Sequence, residues 1–343
     1  MADLAISTVE DLEERLSRPC PAVTRTLAAL RGDLVILGAG GKMGPSLARM
    51  ARRALEAAPS RHRVVAVARF TDARIRAGLE DAGVETIASD LTKREDVDRL
   101  PEADAVIFMA GAKFGTTAAA ATSWATNCHA ASLAAERYVG VPTVVFSTGN
   151  VYPLVAVESA GATEDTPPAP LGEYAQSALG RERIFEFFAE SRGTPVAIIR
   201  LNYAVELRYG VLADVGRKVW NGAPVDLRMG FVNCIWQGDA NAVALRSLAA
   251  VRSPPFVLNV TGAETVSVRA LATRFGEIFG RAAIVSGAEE PTALLSNAAL
   301  SAQRLGPFSI PLATAIEWVA HWIEIGGESF DKPTHFETRD GRF

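Results

Sequence analysis

The stretch Leu34-Val35-Ile36-Leu37-Gly38-Ala39-Gly40-Gly41-Lys42-Met43-Gly44 decides the fold of this chain. Four apolar, β-favouring residues run straight into a glycine cluster, and Lys42–Ala58 then carries helical periodicity. A glycine turn between strand and helix lets an anion approach free backbone N–H groups at a helix N-terminus, where the dipole also favours negative charge. A G-x-G-x-x-G reading from Gly38 fails because position 43 is Met. A G-x-x-G-x-x-G reading fits Gly38, Gly41 and Gly44. The alternative is a tight glycine turn that holds no ligand.

Outward from this point the chain alternates. Strands are expected at Val64–Val67, Val84–Ala88, Ala105–Phe108, Thr143–Phe146 and Val196–Ile199. Helices are expected at Thr71–Ala82, at about Thr117–Tyr138 and at Gly172–Ala189. Strands alternating with helices imply a doubly wound α/β fold with a parallel sheet and right-handed crossovers. Continuous apolar strands fit a sheet covered on both faces. Beyond the sixth strand the pattern loosens: helices at Val211–Asn221, Asp239–Val251, Leu271–Phe279 and Ala313–Ile325, and a strand at Phe256–Val260. The expected division is a helical extension over 1–31, a dinucleotide-binding domain over 32–205 to which 231–260 returns, and a small C-terminal substrate-binding cap over 206–230 and 261–343. In the extension, Ser7 or Thr8 caps a helix Val9–Leu16, ended by Pro19 and Pro21, and a second helix follows at Val23–Leu30.

Of 343 residues, 35 are basic and 39 acidic, giving a net charge of −4; 49% are hydrophobic and 22% charged. These values exclude a disordered polyion and argue against a nucleic-acid surface, which is usually strongly basic. Met1–Glu14 carries five acidic residues and no apolar run, and no long apolar stretch follows. Neither a secretory leader nor a membrane helix is therefore expected, and the expected compartment is the cytoplasm. Cys20, Cys128 and Cys234 are too scattered for a disulfide framework, and the four histidines lack ligand spacing, so no metal is expected.

With its G-x-x-G-x-x-G loop the chain resembles the extended short-chain dehydrogenase/reductases, the NAD(P)-dependent epimerase/dehydratase family, and the resemblance spans about residues 33–260. It implies a Rossmann sheet and cofactor contacts from Gly38, Gly41, Lys42, Met43 and Gly44. Arg69 ends the second strand where the family reads the adenosine ribose. A guanidinium there suits a 2′-phosphate and so NADP, with NAD as the alternative. Asp72 is a competing ribose acceptor or a helix cap. Asp90 and Leu91 stand where the family meets adenine, though Asp90 is equally an N-cap for a helix near Thr92. Phe108-Met109-Ala110-Gly111-Ala112-Lys113 resembles a segment of UDP-galactose epimerases whose lysine contacts the cofactor. Ala110 and Gly111 would let the backbone pass close, and Lys113 is either a cation near the nicotinamide or a solvated loop lysine. Asn127 matches a family asparagine that supports the site through hydrogen bonds.

Phe146-Ser147-Thr148-Gly149-Asn150-Val151-Tyr152 resembles the family's hydroxyl motif, with Thr148 as the catalytic hydroxyl. Ser147 and Asn150 are candidate substrate contacts. Where some sugar dehydratases carry a Glu, this chain has Asn150, which cannot serve as an acid or base. Tyr174 opens the family's Tyr-x-x-x-Lys helix, but position 178 is Ala. The family's lysine holds the nicotinamide ribose and lowers the tyrosine pKa. Lys113 or Arg181 could supply that cation, with Lys113 favoured because Arg181 is two turns from Tyr174. Alternatively, the protein binds cofactor without turnover. Asn202 and Tyr203 are further candidate substrate contacts. An arginine that holds the diphosphate in nucleotide-sugar enzymes aligns with Met229, beside Arg228. The resemblance therefore implies an oxidoreductase or epimerase passing a hydride between nicotinamide and a secondary alcohol of a sugar, sugar acid or polyol. It also implies a homodimer built on the helices about 117–138 and 173–190. The runner-up is a non-catalytic NAD(P)-binding sensor or partner subunit.

Overall fold

The computed structural model describes residues 6–58, 60–113, 115, 118–306 and 308–342. Its centre is a seven-stranded sheet: β1 Leu34–Leu37, β2 Val64–Ala68, β3 Glu85–Ala88, β4 Ala105–Phe108, β5 Thr143–Thr148, β6 Val196–Leu201 and β7 Phe256–Val260. The order is β7-β6-β5-β4-β1-β2-β3, and every neighbouring pair is parallel. The chain builds outward from β1 through β3, then crosses back to β4 on the other side of β1. That reversal opens a crevice at the carboxyl ends of β1 and β4, where ligands bind in open α/β sheets.

All four residues of β1 are fully buried because both faces of the sheet are covered. Leu34 and Ile36 pack on one side with Leu47, Ala51 and Leu55 of α3 (Gly44–Glu56); Val35 and Leu37 pack on the other with Ala130 and Phe185. Full burial of each such side chain stabilises the fold by roughly 1.5–3 kcal/mol.

The expected helix at about Thr117–Tyr138 is not continuous. Among the described residues it is an α-helical turn Ala120–Trp124, a π-helical turn Ala125–His129 and a helix Ala130–Arg137; Thr117 itself lies outside the described residues. The helix bearing Tyr174, α8, runs Gly172–Arg192, longer than expected, and ends at Gly193 in the left-handed conformation. The first helix, α1, spans Val9–Leu16 with Thr8 accepting from the Asp11 N–H. The second runs Pro21–Ala28, two residues earlier than expected, because Pro21 initiates it rather than ending the first.

A second apolar core unites α9 (Val211–Trp220), α11 (Val268–Phe279) and α13 (Leu312–Glu324). Leu12 and Leu16 of α1 join this core. Glu13 of the same helix accepts from Arg208 at 2.7 Å and from Arg49 of α3 at 3.3 Å. The N-terminal helix thus braces the second core against the sheet layer. Among the described residues no helix is long and apolar enough to cross a membrane.

Candidate active site

Two adjoining cavities lie at the carboxyl end of the sheet. The first, about 640 Å³, is lined by Gly40, Ala68, Arg69, Asp90, Leu91 and Ala110. The second, about 560 Å³, is lined by Lys42, Met43, Lys113, Thr148, Tyr174 and Tyr203, with others named below. Gly38, Gly41, Met109 and Gly111 face both, so the glycine loop forms the passage between them.

The glycine requirement is local and steric. Gly38 has φ of 89°, and a Cβ there would lie 2.4 Å from the Ala110 nitrogen. Gly44 lines neither cavity; its Cβ would meet the Ala39 carbonyl oxygen at 2.2 Å, so this glycine seats α3 against its own loop. Lys42 lies over the Tyr209 ring at 3.1 Å. Burial first, then the charges of Lys113 and Lys332, bring its pKa down to about 7.

At the outer end, Arg69 is exposed and lines the first cavity. Asp72 caps the helix Ala73–Asp81 and pairs with Arg74. Asp90 does not cap a helix near Thr92: the helix begins at Arg94, and Asp90 instead accepts from the hydroxyl and N–H of Thr92. Those bonds hold its carboxyl below the ordinary range.

The end of β4 is fixed from the π-helical turn. Asn127 is fully buried and both accepts from the Ala112 N–H, at 2.9 Å, and donates to the Ala112 carbonyl, at 3.1 Å. Its amide also reaches the Ser177 hydroxyl on α8 at 2.8 Å. Asn127 thus ties the loop after β4 to α8.

Tyr174 and Thr148 line the same cavity. The Thr148 hydroxyl oxygen accepts from the Asn150 backbone N–H at 3.2 Å and side-chain amide at 3.0 Å. Lys113 Nζ is 6.0 Å from the Tyr174 ring centroid and donates to the Thr334 carbonyl at 3.4 Å. Burial lowers its pKa to about 8, while Asp214 and Glu337 pull upward. Arg181 also lines this cavity. It is 4% exposed, its Nη1 donates to the Ala110 carbonyl at 2.9 Å, and its buried Nε has no hydrogen-bond partner among the described residues. Burial lowers its pKa, and Tyr174 is the foremost group opposing that shift.

Ala178 does not open onto the cavity. It is fully buried in a small apolar cluster with Val151, Tyr152 and Ala162. Two candidate substrate contacts are likewise engaged elsewhere. The Ser147 hydroxyl donates to Glu182, which forms a buried ion pair with Arg200 at 2.7 Å. Arg200 donates to the Tyr152 hydroxyl, which donates to Asn259. The Asn202 amide donates to Asn233 and to the Leu294 carbonyl, bracing the loop after β6. Both residues border the cavity with their polar groups satisfied by protein. Tyr203 has φ of 46°, and its hydroxyl lies 3.4 Å from the Phe336 carbonyl. Met229 is fully buried, and Arg228 is bound to Asp226, so neither contributes to the wall.

The sequence reading missed Tyr209, Gln237, Lys332 and Thr334 in this wall. The last two come from the tail after α13, which reaches the cavity wall and is tied down where Thr334 donates twice to Asp214, at 2.8 and 2.6 Å. No local motif marks these positions. Among the described residues no cluster of three or more His, Cys, Asp or Glu could hold a metal.

Known proteins agree with this architecture. MoeE5, solved with UDP-glucose and NAD, is 24% identical; the match covers 85% of this chain and 100% of that one, with a TM-score of 0.68. The UDP-glucose 4-epimerase of Thermotoga maritima, solved with UDP-glucose, is 17% identical over 85% and 98% of the two chains, with a TM-score of 0.71. A double mutant of DesIV from Streptomyces venezuelae, a dTDP-glucose 4,6-dehydratase, is 18% identical over 85% and 96%, with a TM-score of 0.72. At these identities the likeness is one of fold. Comparison with curated protein sequences returns no match. The sequence model of one family matches residues 34–205, from the first strand of the sheet to the loop after β6. The chain belongs to the NAD dependent epimerase/dehydratase family.

Proposed function

We propose that this protein is an NAD(P)-dependent oxidoreductase or epimerase acting on a secondary alcohol of a sugar, sugar acid or polyol-like substrate. One observation carries the reading: Tyr174 and Thr148 share a cavity that continues past Gly38 and Gly41 into the cavity of Arg69 and Asp90. The residues fit an extended dinucleotide. Gly38 and Gly41 leave backbone open at the passage, Arg69 and Asp90 suit an adenosine end, and the partnerless Arg181 Nε is buried at the other end. Family membership and NAD in the solved neighbours support the same assignment.

The nicotinamide, when bound, takes up or returns a hydride. The chain's own groups handle the oxygen. Tyr174 moves the hydroxyl proton, and Thr148, oriented by Asn150, hydrogen-bonds to the oxygen as charge develops there. Lys113 and Arg181 supply positive charge to the cavity wall that Tyr174 shares. Asn150 has no titratable proton, which disfavours elimination of water. Arg69 favours NADP over NAD in this reading. Exposed Trp124 and Phe187, on the helices expected to pair, support a homodimer. The division expected from the sequence and a cytoplasmic location belong to the same proposal.

Ala178 favours a second reading, a cofactor-binding sensor or partner subunit without turnover. Fluorescence titration with NADPH and NADH, followed by a screen of alcohols for cofactor reduction, separates the two. Tight NADPH binding with turnover supports the enzyme, and binding without turnover supports the sensor. No binding of either by folded, cofactor-free protein overturns both.

A further inference from the structure

The wall of the Tyr174 cavity contains four cationic side chains, Lys42, Lys113, Arg181 and Lys332. It contains no aspartate or glutamate among the described residues. The four cations arrive from the glycine loop, the end of β4, α8 and the C-terminal tail. Under the proposed function, which this inference rests on, Lys42 and Arg181 lie along the cofactor's path. Lys113 is bonded to the C-terminal tail, which also carries Lys332 into the wall. Lys113 Nζ donates to the Thr334 carbonyl at 3.4 Å, and Lys332 is two residues earlier in the same tail.

Nearby carboxylates are not part of this wall. Asp214 accepts from Thr334 at 2.8 and 2.6 Å, and Glu337 lies 3.9 Å from Lys218. Both pull on Lys113 electrostatically without entering the cavity. Gathering like charges in a partly desolvated space is unfavourable until an opposite charge enters it, and such a space concentrates anions. The mutual repulsion shows in Lys42, on which Lys113 and Lys332 both bear. Arg228 stays with Asp226 and Met229 is buried, so the cationic surface is on the tail rather than on the 228–229 segment.

We infer that the substrate carries an anionic group, a carboxylate or a phosphate, that docks between Lys113 and Lys332 beneath the C-terminal tail. The hydroxyl to be oxidised then lies toward Tyr174 and Thr148. The tail is a specificity element, and the substrate is a small acid whose own charge fixes its orientation.

The test is calorimetric titration of the protein saturated with NADP or NAD. One arm uses hydroxy acids (glycerate, threonate, gluconate, galacturonate) and a second arm uses glycerol 3-phosphate, ribose 5-phosphate and glucose 6-phosphate. The controls are glycerol, threitol, glucitol, galactose, ribose and glucose. At least one anion should bind ten times more tightly than its neutral counterpart, and the arm in which it falls identifies the anion. Lys332→Met should weaken that binding at least tenfold with cofactor affinity unchanged, and Lys332→Arg should restore it. Lys332 is exposed on the tail, so its variants should fold. Neutral compounds binding as well as the anions, no anion binding, or Lys332→Met leaving anion affinity unchanged each overturn the inference. A loss of cofactor affinity in Lys332→Met also overturns it, because the charge then serves the cofactor. Failure of the wild-type protein to bind either cofactor is distinct and removes the underlying reading.

Discussion

Arg181 Nη1 donates to the Ala110 carbonyl at 2.9 Å and so ties α8 to the end of β4. The guanidinium lies beside Gly111 with its Nε unsatisfied. Arg181→Ala would leave the Ala110 carbonyl without that donor, a loss of about 1–3 kcal/mol, and would remove a buried positive charge from the Tyr174 cavity. A lowered denaturation midpoint is expected, together with a fall in turnover. Arg181→Lys should recover part of the activity. Wild-type turnover in Arg181→Ala would assign the residue to structure alone.

Tyr174→Phe keeps the ring and removes only the hydroxyl. Turnover should fall by about 10²–10⁴-fold, the range for general acid–base groups, with cofactor affinity changed by less than tenfold. Steady-state kinetics beside an NADPH titration measure both. A Phe variant with wild-type turnover removes Tyr174 from the chemistry.

Restoring a lysine at 178 is not a clean repair. Ala178 is fully buried against Val151, Tyr152 and Ala162. A lysine there crowds packed side chains, a change that typically costs 1–3 kcal/mol, and adds a charge to an apolar cluster. Ala178→Lys is expected to lower thermal stability and not raise turnover. Increased turnover would mean that the native site is degenerate and the sensor reading correct.

These cases separate what the sequence conveys from what it does not. The strand starts and the glycine loop were legible because the main sheet is parallel and buried: Leu34–Leu37 and Ala105–Phe108 occur as uninterrupted apolar runs bounded by turn residues. The cluster of Gly38, Gly41, Tyr174 and Thr148 was legible through motif spacing. The direction in which a side chain is spent was not. Ser147 and Thr148 are adjacent on one strand, yet the first is bound to buried Glu182 and the second faces Asn150 and the cavity. Asn202 carries the same polarity as a substrate contact but braces Asn233 across the fold. Lys332 and Thr334 join the site only through tertiary folding of a tail that has no periodicity of its own.

The Glu182–Arg200 pair is the most deeply buried ion pair described, with side-chain exposures of 0% and 5%. Burial works against the Arg200 cation, but Glu182's hydrogen bonds and charge hold its pKa above the ordinary value. Removing one partner strands the other, so Glu182→Gln or Arg200→Met should destabilise by about 3–5 kcal/mol in urea or guanidinium unfolding. A loss below about 1 kcal/mol would show that water reaches the pair.

Lys42 and Lys113 titrate near neutrality, at about 7 and about 8, below the ordinary lysine value. Between those values and about 10.4, the unfolded chain holds more protons than the folded one. Their contribution to unfolding free energy therefore rises with pH across that window and is flat below pH 7. Anion affinity should run the opposite way, falling between pH 7 and 9 as both amines lose charge. Lys113, Lys332, Asp214 and Glu206 all bear on Lys42, and Asp214 and Glu337 on Lys113, so Lys42→Met should flatten only part of the profile. Denaturant unfolding and phosphate titrations at pH 6.5 and 9 check both slopes.

The π-helical turn at Ala125–His129 has a consequence for chain length. A π turn accommodates one residue more than the α-helical ladder requires, and each α-helical residue advances the helix by about 100°. Deleting one residue between Ala125 and His129 could close the ladder while leaving Asn127's place to a side chain pointing elsewhere. The loop at Ala112 would then lose both bonds at once. The spare residue works as a phase adjuster, letting one end of the helical run keep its register on the sheet while the other aims a single amide at the loop. A nearly unaltered secondary structure would thus accompany a disordered Ala112–Lys113 side of the cavity.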